Sequence, residues 1–206
     1  MAIHIERPNQ IGNDIKEMYG VTSITGKKLM NDFASIITSL DSNWKGTDAV
    51  ANLADLTAVY RDTAALVKKL QKIIAEVNNG EIIPLQKHIQ LCGGECTPNE
   101  SLSDRLDIAD TVSVQTSATA SVTQDGILTD ASNFNSFPEK FTSFADDLKN
   151  ASKVLLNNWL DGANRESVVT TFNTFETNVG GYIENLKKVR NNLNTVAENK
   201  KQFLNK

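Results

Sequence analysis

Residues 43–48 read Asn43-Trp44-Lys45-Gly46-Thr47-Asp48, and an apolar stripe runs up to them and another leads away. Before them, Leu29, Phe33, Ile36, Leu40 and Trp44 are spaced by 4, 3, 4 and 4 residues, which places them on one face of a helix. After them, Leu53, Leu56, Tyr60, Thr63, Val67, Leu70, Ile74 and Val77 alternate steps of 3 and 4, a heptad-like seam ending at the stop signal Asn78-Asn79-Gly80. The intervening stretch combines a helix-breaking glycine with helix-capping residues. Two long helices joined by so short a turn must run antiparallel, so residues 23–80 are expected to form a helical hairpin.

The second half of the chain follows the same plan. Ser136-Phe137-Pro138 suits a helix start, because proline is tolerated in a first turn. Phe141, Phe144, Leu148, Ala151, Leu155 and Trp159 form the outgoing stripe. The break is Asn158-Trp159-Leu160-Asp161-Gly162-Ala163-Asn164. Val169, Phe172, Phe175, Val179, Ile183, Leu186, Val189, Leu193, Val196 and Phe203 form the return. An offset of 115 carries Leu29 to Phe144, Phe33 to Leu148, Leu40 to Leu155 and Asn43-Trp44 to Asn158-Trp159. Beyond the turn, an offset of 116 carries Leu56 to Phe172, Leu70 to Leu186 and Val77 to Leu193, with Asp161 as the additional residue. Matching stripes alone can coincide, but the shared Asn-Trp in the same phase argues for a tandem duplication. The expected organisation is an N-terminal segment 1–22, hairpins over 23–80 and 137–206, and a connector over 81–136.

That connector is acidic. Residues 91–136 hold seven acids (Glu95, Glu100, Asp104, Asp107, Asp110, Asp125, Asp130) and one base, Arg105. Residues 111–124, TVSVQTSATASVTQ, place Val112, Val114, Ala118, Ala120 and Val122 on alternate positions. Period two suits a strand, and Gln124-Asp125-Gly126 suits a hairpin turn before Ile127. A helix of low propensity or a flexible linker fits the Ser/Thr-rich composition equally well.

Composition narrows the function. The 206 residues are 40% hydrophobic and 22% charged, enough apolar content for a packed core. The net charge of −4 gives no general attraction for nucleic acid. The start Met1-Ala2-Ile3-His4-Ile5-Glu6-Arg7-Pro8 lacks the basic and apolar regions of a cleaved signal, and no run reaches the roughly 20 apolar residues of a bilayer span. With two histidines, His4 and His88, and no HExxH, GxSxG or GxxxxGK[ST] pattern, the expectation is a non-enzymatic protein without cofactor. Cys92-Gly93-Gly94-Glu95-Cys96 allows a small disulfide loop in an oxidising space, or two free thiols in a reducing one. A metal site of His88, Cys92 and Cys96 is the weakest reading, with three ligands visible and glycines breaking the helical alignment. The locally basic C-terminal helix, with Lys187, Lys188, Arg190, Lys200, Lys201 and Lys206 beside Glu198, suits a solvated helix end or contact with an acidic surface.

Trp44-x-Gly46 at the tip of a helical hairpin resembles the WXG (Esx-like) family, the small substrates and partners of type VII secretion in Gram-positive bacteria and mycobacteria. The resemblance covers roughly 23–80, and 137–204 less faithfully because the second turn reads Trp159-Leu160-Asp161-Gly162. Family members pair as antiparallel hairpins, so the resemblance implies a four-helix bundle in which one chain forms a covalent pseudo-dimer. Burial of two otherwise uncovered apolar faces agrees with it. Trp44, Gly46, Trp159 and Gly162 then serve as turn residues, and as a recognition surface for a secretion component. The family's Tyr-x-x-x-Asp/Glu export signal is missing: the fourth residues after Tyr19, Tyr60 and Tyr182 are Ser23, Ala64 and Leu186. The implied role is a secreted or cell-surface substrate without a cleaved signal, or an adaptor for a co-secreted effector. Two rival readings stand beside it: a helical membrane-active toxin component with 111–124 as insertable tongue, and a cytoplasmic helical scaffold.

Overall fold

The computed structural model describes residues 8–115, 121–160 and 162–204, with side-chain detail as far as Asn199 and none at Val122 and Gln124. These residues are mainly helical. Helix α1 (Pro8–Gly20) continues through a wider π-helical turn, Val21–Gly26, into α2 (Lys27–Asn43). The short strand β1 (Trp44–Lys45) is followed by α3 (Thr47–Val77), which passes through a second π-helical stretch, Asn78–Ile82, into α4 (Ile83–Leu91). Residues 94–115 carry no regular element. Strand β2 (Ser121–Val122) precedes α5 (Gln124–Asn135), α6 (Phe137–Asn158) and α7 (Arg165–Leu204). The outgoing and returning stripes of both halves are therefore α2, α3, α6 and α7.

The stretch expected as a connector is more structured than its composition suggests. It contains α4, with Pro84 in the first turn where a missing N–H is harmless, and all of α5. Gln124-Asp125-Gly126 does not turn a hairpin; it opens α5. Thr123 is extended, its carbonyl accepts from Ile127 N at 2.9 Å, and Asp125 places a carboxylate in the positive first turn of the helix. The alternation survives as burial at Val112 and Val114, half-buried between exposed neighbours, without a ladder. Residues 116–120 of that segment lie outside the described residues. The strand partner of Ser121–Val122 is distant: β2 pairs antiparallel with β1, Trp44 opposite Val122 and Lys45 opposite Ser121.

The chain divides into two compact units, each drawing on both halves of the sequence. The first comprises 1–27, 66–107 and 144–177; the second comprises 28–65, 108–143 and 178–206. In the first, Ile11, Ile15 and Met18 are buried together with Val67, Leu70, Leu148 and Leu155, and Phe144 meets Phe175 edge-on with ring centroids 6.4 Å apart. Irregular residues 97–103 are pinned by amides rather than by apolar packing. Asn99 Nδ2 donates to Gly12 O at 3.1 Å and to Asn78 Oδ1 at 2.8 Å, Asn99 N donates to Gln86 Oε1 at 2.7 Å, and Asn78 Nδ2 donates to Glu100 O at 2.9 Å. Buried amides so paired fix one register for the segment. The second unit is aromatic: Phe33 packs on Tyr60 and Phe137 at centroid distances of 5.7 and 4.6 Å, and Phe134 stacks on Phe137 at 5.7 Å. Tyr60 donates its hydroxyl to Ala109 O at 3.2 Å; burial first, then the charge of Asp110, pushes this phenol's pKa up. Each such ring contributes on the order of 1.5–3 kcal/mol by burial.

Candidate functional site

The two tryptophan turns are the features marked by the sequence, and each is held by groups the sequence reading did not mark. In the first, α2 ends at Asn43, and the backbone then extends through Trp44 and Lys45 along β2. Gly46 has φ +116°, a region closed to residues with a Cβ, and its carbonyl receives Val50 N at 3.0 Å as the first bond of α3. Lys45 Nζ lies 3.0 Å from Asp41 Oδ1, with both side chains largely buried, while Asp41 Oδ2 accepts from Gln115 N at 3.0 Å. Asn43 Nδ2 donates to Asp130 Oδ2 at 2.9 Å, and Ser39 Oγ donates to the other oxygen at 2.6 Å. The Asn43 amide lies so close to α5 that a Cβ on Gly126 would collide with it.

In the second turn, Trp159 N closes α6 on Leu155 O at 2.8 Å, and the indole is buried. Among the described residues its Nε1 has no hydrogen-bond partner. Gly162 packs directly on that ring: a Cβ there would stand 2.5 Å from Nε1 and 2.7 Å from Glu81 Oε2. Glu81 Oε1 accepts from Asn164 N at 3.2 Å and Nδ2 at 2.9 Å, ahead of α7. Arg165 Nε donates back to Trp159 O at 2.7 Å. Asn158 Nδ2 donates to Asp14 Oδ2 at 2.7 Å. Leu160 is 64% exposed, and Asp161, the additional residue, lies outside the described residues.

Set side by side, the turns share one device. Asn158 follows Asn43 by 115 positions and Asp130 follows Asp14 by 116. The pairs cross: the aspartate of the first half holds the asparagine of the second, and the reverse. Both aspartates are 3% exposed, so each contact is a charge-assisted hydrogen bond sheltered from water. The same 116-residue step carries buried Ile11 to Ile127, Ile15 to Ala131 and Met18 to Phe134. The matched positions therefore extend to α1 and α5, outside both expected hairpins. The signal was present as Ile-x-x-Asp at 11–14 and Ile-x-x-Asp at 127–130.

The remaining candidates fall elsewhere. Both cysteines are free: Cys92 is exposed at the end of α4 with Sγ 3.8 Å from His88 Nε2, and Cys96 is buried and donates to Asn9 Oδ1 at 3.0 Å. Burial pushes the Cys96 thiol pKa up. Among the described residues no three His, Cys, Asp or Glu side chains converge to hold a metal ion. Of the C-terminal bases, Lys187 pairs with Glu184, Lys188 with Asp55 and Arg190 with Glu139; the side chains of Lys200, Lys201 and Lys206 are outside the described detail. No described helix is long and apolar enough to cross a membrane. The chain matches no protein-family model, no curated protein and no solved structure.

Proposed function

We propose that this protein is a non-enzymatic, tandem WXG-type partner protein of type VII secretion, either an exported substrate or an adaptor that delivers another substrate through helix-face contacts. In this reading α2, α3, α6 and α7 are the four helices of a bundle built by two hairpins, and one chain does the work of a dimer. The observation that carries it is the pair of turns, each with an Asn-Trp at the end of one long helix and a glycine before the next, each held by an aspartate from the other half. A duplicated subunit whose copies hold one another's turns is what fusion of two pairing hairpins would leave behind.

The test compares culture supernatant with lysate in a native host, with and without its type VII motor ATPase. Protein in the supernatant that disappears with the motor supports the exported substrate. Retention in the lysate, with another substrate's export lost when this gene is deleted, supports the adaptor. Retention with export of every type VII substrate unchanged by the deletion would overturn the secretion reading.

A further inference from the structure

Within the second unit, a cleft of about 500 Å³ opens beside the first turn, lined by Trp44, by Asp48, Asn52 and Asp55 of α3, and by Lys188 and Asn192 of α7. That volume lies within the usual range for a small ligand or a few side chains. Asn192 Nδ2 donates to Asn52 Oδ1 at 2.9 Å, and Lys188 Nζ lies 3.3 Å from Asp55 Oδ2. Among the described residues no base pairs with Asp48.

The duplication shows what this position accepts. At the second turn the chain itself supplies a charged side chain beside the indole: Glu81 sits against Gly162 and Trp159 and is received by the donors of Asn164. Positions 115 and 116 residues beyond Glu81 are Val196, which lines the cleft, and Ala197. Neither side chain carries a polar group, so among the described residues these two positions do not supply the first turn with the insert that the second one has. The surroundings also differ in polarity. Where Asn164 presents N–H groups, the cleft presents the carboxylates of Asp48 and Asp55, with Lys188 the one cation among its described lining residues and the edge of the buried Trp44 ring at its floor. A donor with positive charge is the complement of such a lining, through its carboxylates.

We propose that the Trp44 cleft is a docking site for a lysine or arginine side chain presented by a partner protein. The proposal does not rest on a role in secretion. The test follows the two indole N–H resonances of the ¹⁵N-labelled full chain, assigned with Trp44→Phe, during titration with acetyl-Gly-Arg-Gly-amide and its uncharged citrulline analogue. The expected result is a saturable shift of the Trp44 resonance with the arginine peptide, at least about ten-fold weaker with citrulline, and an unmoved Trp159 resonance. Asp48→Asn, and separately Asp55→Asn, should weaken the arginine response while leaving both indole signals dispersed. No saturable shift up to about 10 mM, equal response to citrulline, or indifference to both aspartate variants would overturn the proposal.

Discussion

The first tryptophan turn adds a backbone strand pairing to its side-chain contacts, whereas the second is tied mainly by side chains. Around Trp44 the chain extends, pairs with Ser121–Val122 and reverses on a glycine at positive φ. Around Trp159 the described residues form no strand; Glu81, Arg165 and Asn164 bridge the gap, and Gly162 is required by contact with the indole. What both retain is the Asn–Asp contact between sequence halves. One anchor is thus common to the two, and the outer construction of each differs.

The comparison can be strained first at the rings. Trp159→Ala should destabilise by about 3–5 kcal/mol, since the side chain is fully enclosed. Trp44→Ala should cost less, because the vacated space joins an existing cleft that water can enter. Urea denaturation of both variants reads the difference; equal losses would argue that the cleft does not soften the first turn.

The glycines separate the two constructions next. Gly162→Ala should lose about 1–3 kcal/mol by overpacking against Trp159 and Glu81. Gly46→Ala should lose about 1–2 kcal/mol through backbone strain at its positive φ. A Glu81→Ala change should restore part of the loss in Gly162→Ala and none of it in Gly46→Ala, as a double-variant melting series would report. Alone, Glu81→Ala removes the acceptor for Asn164 and should cost about 1 kcal/mol.

The smallest expected effect is electrostatic and belongs to the second unit. A hydrogen bond from Arg190, reinforced by the charges of Arg190 and Lys187, holds the Glu139 carboxyl below its usual pKa. The unfolded chain therefore binds this proton more readily, so the contribution is present above the unfolded value of about 4.3 and is lost as pH falls through the folded one. Glu139→Gln should narrow the difference in Tm between neutral and acidic buffer. An unchanged difference would remove the pair from the acid response.

Much of the helical layout was legible because long amphipathic helices repeat their apolar residues in steps of three and four. Leu29, Phe33 and Leu40, like Phe144, Leu148 and Leu155, lie buried as the stripes require. The short helices were not, since α1 and α5 offer only Ile11, Ile15 and Met18, or Ile127, Ala131 and Phe134, too few turns for a distinct period. The hairpin expected at Gln124-Asp125-Gly126 failed because Asp and Gly serve a helix start as readily as a reverse turn, and only the distant Asn43 decides between them. Trp44 and Gly46, Trp159 and Gly162 were visible as turn residues. Asp14, Asp130, Asp41 and Glu81 were not, because an acid on a helix reads as a solvated surface until its partner, here 74 to 144 positions away, is known.

The two halves of the chain hold each other's tryptophan turns through matched aspartate–asparagine contacts. Two double-mutant cycles test this directly, Asp14→Ala with Asn158→Ala and Asp130→Ala with Asn43→Ala, each read by urea denaturation. Coupling of about 1–3 kcal/mol is expected in both cycles, and additivity when Asp14→Ala is combined with Asn43→Ala. Additive losses in either crossed cycle, or coupling between Asp14 and Asn43, would contradict it.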